Sequence, residues 1–159
     1  EFYSLSKSFN LTGARISFVV GNKQIINKLK VFRSQIDYGV FLPVQYAAIA
    51  ALTGPLDVVE EQRQEYEKRN KMLCGGLRSI GWDVPDSQGT MFVWAKIPGK
   101  YKSSVEFCLD LMEKTGVIVT PGNAFGSRGE GYVRMALVVG EETISELLSV
   151  LEESNIFSK

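Results

Sequence analysis

The chain is 159 residues long, 45% hydrophobic and 23% charged, with eighteen basic and eighteen acidic side chains that cancel. That length fits one domain, or one domain plus a piece of another, and the composition is too ordinary and too apolar for extended disorder. Balanced charge provides no field for nucleic acid or an anionic membrane, no apolar run nears the ~18 residues of a span, and the absence of histidine removes Ser-His-Asp, Cys-His and imidazole–zinc chemistry.

Residues 1–30 read as a polar loop, a strand and the start of a helix. Ser4, Ser6, Lys7, Ser8, Asn10, Thr12 and Gly13 form a segment too polar for a core element. Ile16–Val20, closed by Gly21, has the pattern of a short buried strand. It is a lone strand, and partner strands are not evident in the sequence. Pro43 suits the first turn of a helix that runs through Ala47, Ala48, Ala50 and Ala51 until Gly54 and Pro55 interrupt it.

Asp57 with Glu60 resembles a capping box, and Val59, Tyr66 and Leu73 share one face, so a long helix is expected from Asp57 past Gly75 and Gly76 towards Ile80. Strands are expected at Trp82–Val84 and Met91–Ile97. Ser103 and Glu106 cap a helix that ends at Gly116. A strand at Val117–Thr120, a glycine-rich loop over Pro121–Gly131 and a strand at Tyr132–Val138 follow. Ile144, Leu147, Leu148 and Leu151 mark an amphipathic helix over Glu141–Glu153. The expected fold class is α/β, with helices covering a small mixed sheet. Cys74 and Cys108 read as small buried hydrophobes of a reducing compartment, Trp82 and Trp94 as core, and Glu60, Glu61, Glu65 and Glu67 as a solvated helix face.

The segment Ser4-Leu5-Ser6-Lys7, continuing to Thr12-Gly13 and Arg15, carries the chemistry. A lone lysine is usually a solvated charge. Here Ser4 and Ser6 can donate to a phosphate, Arg15 presents a planar fork for two phosphate oxygens, and Gly13 permits the tight turn that brings them together. An amine beside such a phosphate grip is the set needed to hold pyridoxal 5′-phosphate, although polar loops with Lys and Arg are common. A second candidate is Arg134 in Tyr132-Val133-Arg134-Met135-Ala136-Leu137. Alternation puts Arg134 on the face opposite Val133, Met135 and Leu137, where an arginine on an edge strand would simply point into water.

Ser4-Leu5-Ser6-Lys7-Ser8-Phe9-Asn10-Leu11-Thr12-Gly13-Ala14-Arg15 resembles the cofactor-lysine signature of the class I aminotransferases, in the aspartate aminotransferase fold family. Ser17 stands where that family usually has Gly or Ala. The resemblance implies that Lys7 carries pyridoxal 5′-phosphate, that Ser4 and Arg15 bind its phosphate, and that Arg134 grips the substrate carboxylate. Pro121-Gly122-Asn123-Ala124-Phe125-Gly126 and Gly129-Glu130-Gly131 also resemble the family's approach to this strand, with a positioning role. The likeness is to the bacterial aspartate and diaminopimelate branch, and to the later part of such an enzyme.

On that footing residues 1–30 are expected to be the tail of the large cofactor-binding domain, 31–56 a connecting segment and helix, and 57–159 the C-terminal small domain. The chain begins at Glu1 rather than Met, which agrees with a fragment that is inactive by itself. The implied activity is amino-group transfer between an amino acid and a 2-oxo acid, in a cytoplasmic homodimer without metal, nucleic acid or membrane as partners. A lyase of sulfur amino acids on the same fold, or a non-catalytic aminotransferase-like module, would keep the same residues.

Overall fold

A computed structural model describes residues 1–157. The chain divides into two compact units, Glu1–Gln62 and the residues from Arg63 onward.

The first unit begins with a two-stranded antiparallel sheet. Strand β1 (Phe2–Ser4) pairs with β2 (Ser17–Val19), setting Tyr3 opposite Phe18 with their rings stacked at 5.2 Å. The expected lone strand therefore has a partner, supplied by residues that read as loop. It is also not buried: Ser17 is exposed, and Phe18 and Val19 are only half-buried. Between the strands lies a single helical turn, α1 (Leu5–Ser8), and the short 3₁₀ segment Thr12–Ala14. Helix α2 (Lys23–Ser34) starts where Asn22 accepts from the amides of Gln24 and Ile25 at 2.9 and 3.4 Å. Helix α3 (Leu42–Thr53) has Pro43 in its first turn, as expected, and stops at Gly54.

Helix α4 (Asp57–Ser79) is continuous through the division between the units. Its residues from Arg63 onward open the second unit. Gly76 lies inside it for a packing reason: a Cβ there would come within 2.3 Å of the Leu148 side chain. The chain then runs through β3 (Phe92–Lys96), α5 (Ser104–Thr115), β4 (Thr120–Pro121), β5 (Tyr132–Ala136) and α6 (Glu141–Glu153). The sheet order is β3-β5-β4, with β5 antiparallel to both neighbours. The α/β class holds, but the ladders are antiparallel rather than mixed. The two strands joined through α5 are separated by β5, which is a split β-α-β arrangement.

Two expected strands differ. Trp82 and Val84 are both buried, giving the alternation of a strand, yet their polar groups go elsewhere. Trp82 N–H caps α4 at Leu77 O (2.9 Å), its indole donates to Lys96 O (2.7 Å), and Val84 O accepts from Arg78 (2.7 Å). The segment at 117–120 shrinks to β4, because only Thr120 and Pro121 meet β5. Ser103 caps α5 through the Glu106 amide at 3.1 Å, and Gly116 closes that helix at φ 70°, both as read from sequence. One core fills the second unit, from Leu73, Cys74 and Leu77 on α4 through Val93, Phe107, Val133 and Ile144 to Phe157. Both cysteines are free thiols. Among the described residues no single helix is long and apolar enough to cross a membrane.

Candidate functional site

In the first unit the Lys7 segment is organised by local hydrogen bonds. Ser4 has extended backbone and caps α1, its Oγ accepting from the Ser6 amide at 3.1 Å and lying 2.9 Å from the Ser6 hydroxyl. The Ser6 carbonyl accepts from Thr12 Oγ1 at 2.9 Å, and the Thr12 carbonyl accepts from Arg15 Nη1 at 3.1 Å. Ser4 and Arg15, eleven positions apart, are thereby joined through one chain of contacts around α1. Arg15 takes the left-handed conformation at φ 52°, unusual for a side chain of that size, as it leaves the 3₁₀ turn.

Lys7 sits in α1 with its side chain exposed. Its backbone is anchored instead: Gln62 Nε2 on α4 donates to Lys7 O at 3.1 Å and approaches Asn10 Oδ1 at 3.3 Å. Buried Leu5 sits two residues before it as the unit's packing point. The arrangement fits pyridoxal 5′-phosphate by its donor set. A primary amine with no carboxylate partner among the described residues, a hydroxyl and a guanidinium with remaining N–H donors stand on one short, tied segment. Sequence reasoning missed Gln62, because a glutamine on an exposed-looking helix carries no local signal of a contact made across the chain.

Arg134 belongs to the second unit. It lies on the central strand of the sheet, not at an edge, paired across to Trp94 on β3 and Thr120 on β4. Val133 and Met135 point into the core while Arg134 is half-buried on the other face, as alternation predicted. That face is aromatic. Trp94 stacks on Tyr132 at 5.7 Å and meets Phe125 edge-on at 5.8 Å, and the Arg134 Cζ lies over the rings of Phe92 and Phe125 at 4.2 and 4.3 Å. Trp94 was expected in the core; it is 39% exposed because its strand position shares a face with Arg134.

An open cavity of about 340 Å³ lies against Arg134, lined by Phe92, Trp94 and the segment Pro85–Thr90. Its one acidic lining residue, Asp86, is paired with Arg78 at 2.9 Å. The lining segment is held from behind by buried Asn70, whose amide donates to Ser87 O (3.0 Å) and accepts from Ser87 N (3.3 Å) and Cys74 Sγ (3.2 Å). The loop that leads into β5 is equally fixed. Gly122 and Gly129 cross so closely that a Cβ on either would lie 2.1 or 2.0 Å from the other's carbonyl oxygen. Glu130 accepts from the amides of Ser104 and Gly131 at 2.6 and 2.9 Å, and those bonds hold its carboxyl below the usual range.

The family model for aminotransferase class I and II matches residues 1–151. LL-diaminopimelate aminotransferase of Halothermothrix orenii is 49% identical over 156 residues, which cover 98% of this chain and 40% of that one. Glutamate-pyruvate aminotransferase AlaC of Escherichia coli is 42% identical over 150 residues, covering 93% of this chain and 36% of that one. The apo-BacF structure from Bacillus subtilis superposes with a TM-score of 0.93 at 35% identity, covering all of this chain and 41% of that one. An aminotransferase structure from Staphylococcus aureus gives 0.93 at 33% identity, covering 100% and 42%. The chain spans about two fifths of the length of the curated relatives it matches. It belongs to the class I and II aminotransferase family.

Proposed function

We propose that the protein works as a pyridoxal 5′-phosphate-dependent aminotransferase, moving an amino group between an amino acid and a 2-oxo acid. Members of this family use pyridoxal 5′-phosphate. The observation that carries the reading is the tied segment Ser4–Arg15, which presents the amine of Lys7 with a hydroxyl and a guanidinium on either side of it in sequence. When bound, the cofactor supplies an electron sink for the substrate's Cα. Lys7 would hold it through the amine, and that amine would move the proton at the substrate Cα as general base and acid. Ser4 and Arg15 would hold its phosphate, through a hydroxyl and a guanidinium. Arg134 takes the substrate carboxylate in a bidentate pair, and fixing that end aligns the Cα–H bond.

The relatives' names divide between diaminopimelate and the glutamate–pyruvate pair, and the shared chemistry is an α-amino acid with a free carboxylate. A cytoplasmic homodimer belongs to the same proposal; the two free thiols suit a reducing compartment. The test is borohydride reduction of the cofactor-loaded full-length protein, followed by peptide mapping. The reduced cofactor is expected on Lys7, and a label on any other lysine overturns the assignment.

A further inference from the structure

We propose that Phe92 and Phe125 are positioning residues for the carboxylate clamp: their rings hold the Arg134 guanidinium so that its in-plane donors face the cavity. This rests on the reading of Arg134 as the carboxylate grip and adds what makes that grip strong. Phe92 is on β3, two positions from Trp94, which pairs with Arg134, so it reaches the guanidinium diagonally on the same face of the sheet. Phe125 comes from the glycine-rich loop, at the end of a 3₁₀ turn. Both rings lie within 4.3 Å of Cζ.

An aromatic face attracts a flat cation yet competes poorly for its N–H donors, which lie in the guanidinium plane. Rings against the faces therefore limit the long side chain's freedom and displace water while leaving the fork available. Asp86, the acidic residue of the cavity lining, pairs with Arg78. The loop that delivers Phe125 is locked by the Gly122–Gly129 crossing and by Glu130. The clamp is thus prepared before a ligand arrives.

The test uses this chain with pyruvate as the probe and its uncharged amide as the control, followed by the indole N–H resonance of Trp94, which lines the same cavity. The wild-type chain is expected to bind pyruvate and not the amide. F92L and F125L should weaken pyruvate binding about tenfold with native-like spectra, and F125Y, which keeps the ring face, should stay within about twofold. R134K, which keeps the charge and loses the planar fork, should weaken pyruvate binding severely. Leucine variants that bind like wild type beside a defective R134K overturn the positioning role and leave the clamp standing, and so does an F125Y as weak as F125L. Wild type that ignores pyruvate, or an R134K that binds it equally well, overturns the clamp and the inference with it. If F92L loses its fold, F125L decides, because Phe125 is 49% exposed.

Discussion

The two units are built on different physics. In the first, only Leu5 and Ala48 are buried, and its helices leave Ile25, Val31, Phe32 and Tyr46 largely open. Shape there comes from local hydrogen bonds: the Ser4 and Asn22 caps, the Thr12–Ser6 and Arg15–Thr12 contacts, and a three-rung hairpin. The second unit has an apolar interior shared by α4, the sheet, α5 and α6, with Trp82, Phe107 and Phe157 in mutual ring contact at 4.6 to 6.2 Å. Local hydrogen bonds fix a conformation at a net gain of roughly 1 kcal/mol each, whereas burying one large side chain contributes roughly 1.5–3. Within this chain, which spans about two fifths of its relatives' length, the amine of Lys7 thus stands on a lightly packed scaffold and the guanidinium of Arg134 on a heavily packed one.

The largest expected effect comes from truncating the core. Phe107→Ala removes a ring with no exposed surface and should cost about 3–5 kcal/mol, read as a lower urea midpoint. Phe32→Ala, on an exposed helix face of the first unit, should stay within about 0.5 kcal/mol. Equal losses would erase the contrast between the units.

Glycines sharpen the same contrast. Gly129→Ala places a Cβ 2.0 Å from the Gly122 carbonyl oxygen, so the loop behind Arg134 must shift, at a cost of about 2–4 kcal/mol. Gly13→Ala meets nothing within 4 Å and should be nearly neutral in thermal melting. A destabilised Gly13→Ala would mean that the Lys7 segment is packed more tightly than its contacts show.

A smaller effect is expected with pH. Glu130 has its carboxyl held down by the Ser104 and Gly131 amides, so its folded value lies below its unfolded one. Its stabilising contribution is then present above the unfolded value, near pH 4.3, and is lost as pH falls through the folded value. Asp110, lowered by Lys114 and by the Tyr101 hydroxyl, acts in the same direction. Urea midpoints of the wild-type chain should therefore fall between about pH 5 and pH 3, and Glu130→Gln should flatten that slope. An unchanged slope in the variant would assign the acid sensitivity to other carboxylates.

Much of this organisation was legible without coordinates. The helices over 42–53, 57–79, 104–115 and 141–153 follow from Pro43, the Ser103 cap, Gly116 and the leucine spacing of the last helix, because caps and periodicity act within a turn or two. Helix α2 carried the signal of Asn22 followed by Ile26 and Leu29, and only its start was read. The Lys7 segment was visible as a spacing of Ser4, Lys7 and Arg15, since the contacts that link Ser4 to Arg15 are local, whereas the Gln62 contact to Lys7 O, from far along the chain, was not.

What tertiary structure alone decided lies in pairs far apart in the chain. Whether Ile16–Val20 had a partner depended on Phe2–Ser4 folding back to it. Trp82 and Val84 alternate like a strand, and only the positions of Leu77 O, Arg78 and Lys96 O determine that they do not form one. Trp94 looks like any apolar strand residue until the register sets it opposite Arg134, on the open face. Phe92 and Phe125, on a strand and a loop separated by α5, meet at one guanidinium only because β3 and β5 pair. The sequence by itself determined where turns begin and end and which residue types bear charge, since those choices are settled within a few bonds. Which side chains face one cavity is settled by strand register, and a shift of one residue there would send Arg134 into the core and Val133 out to the ligand.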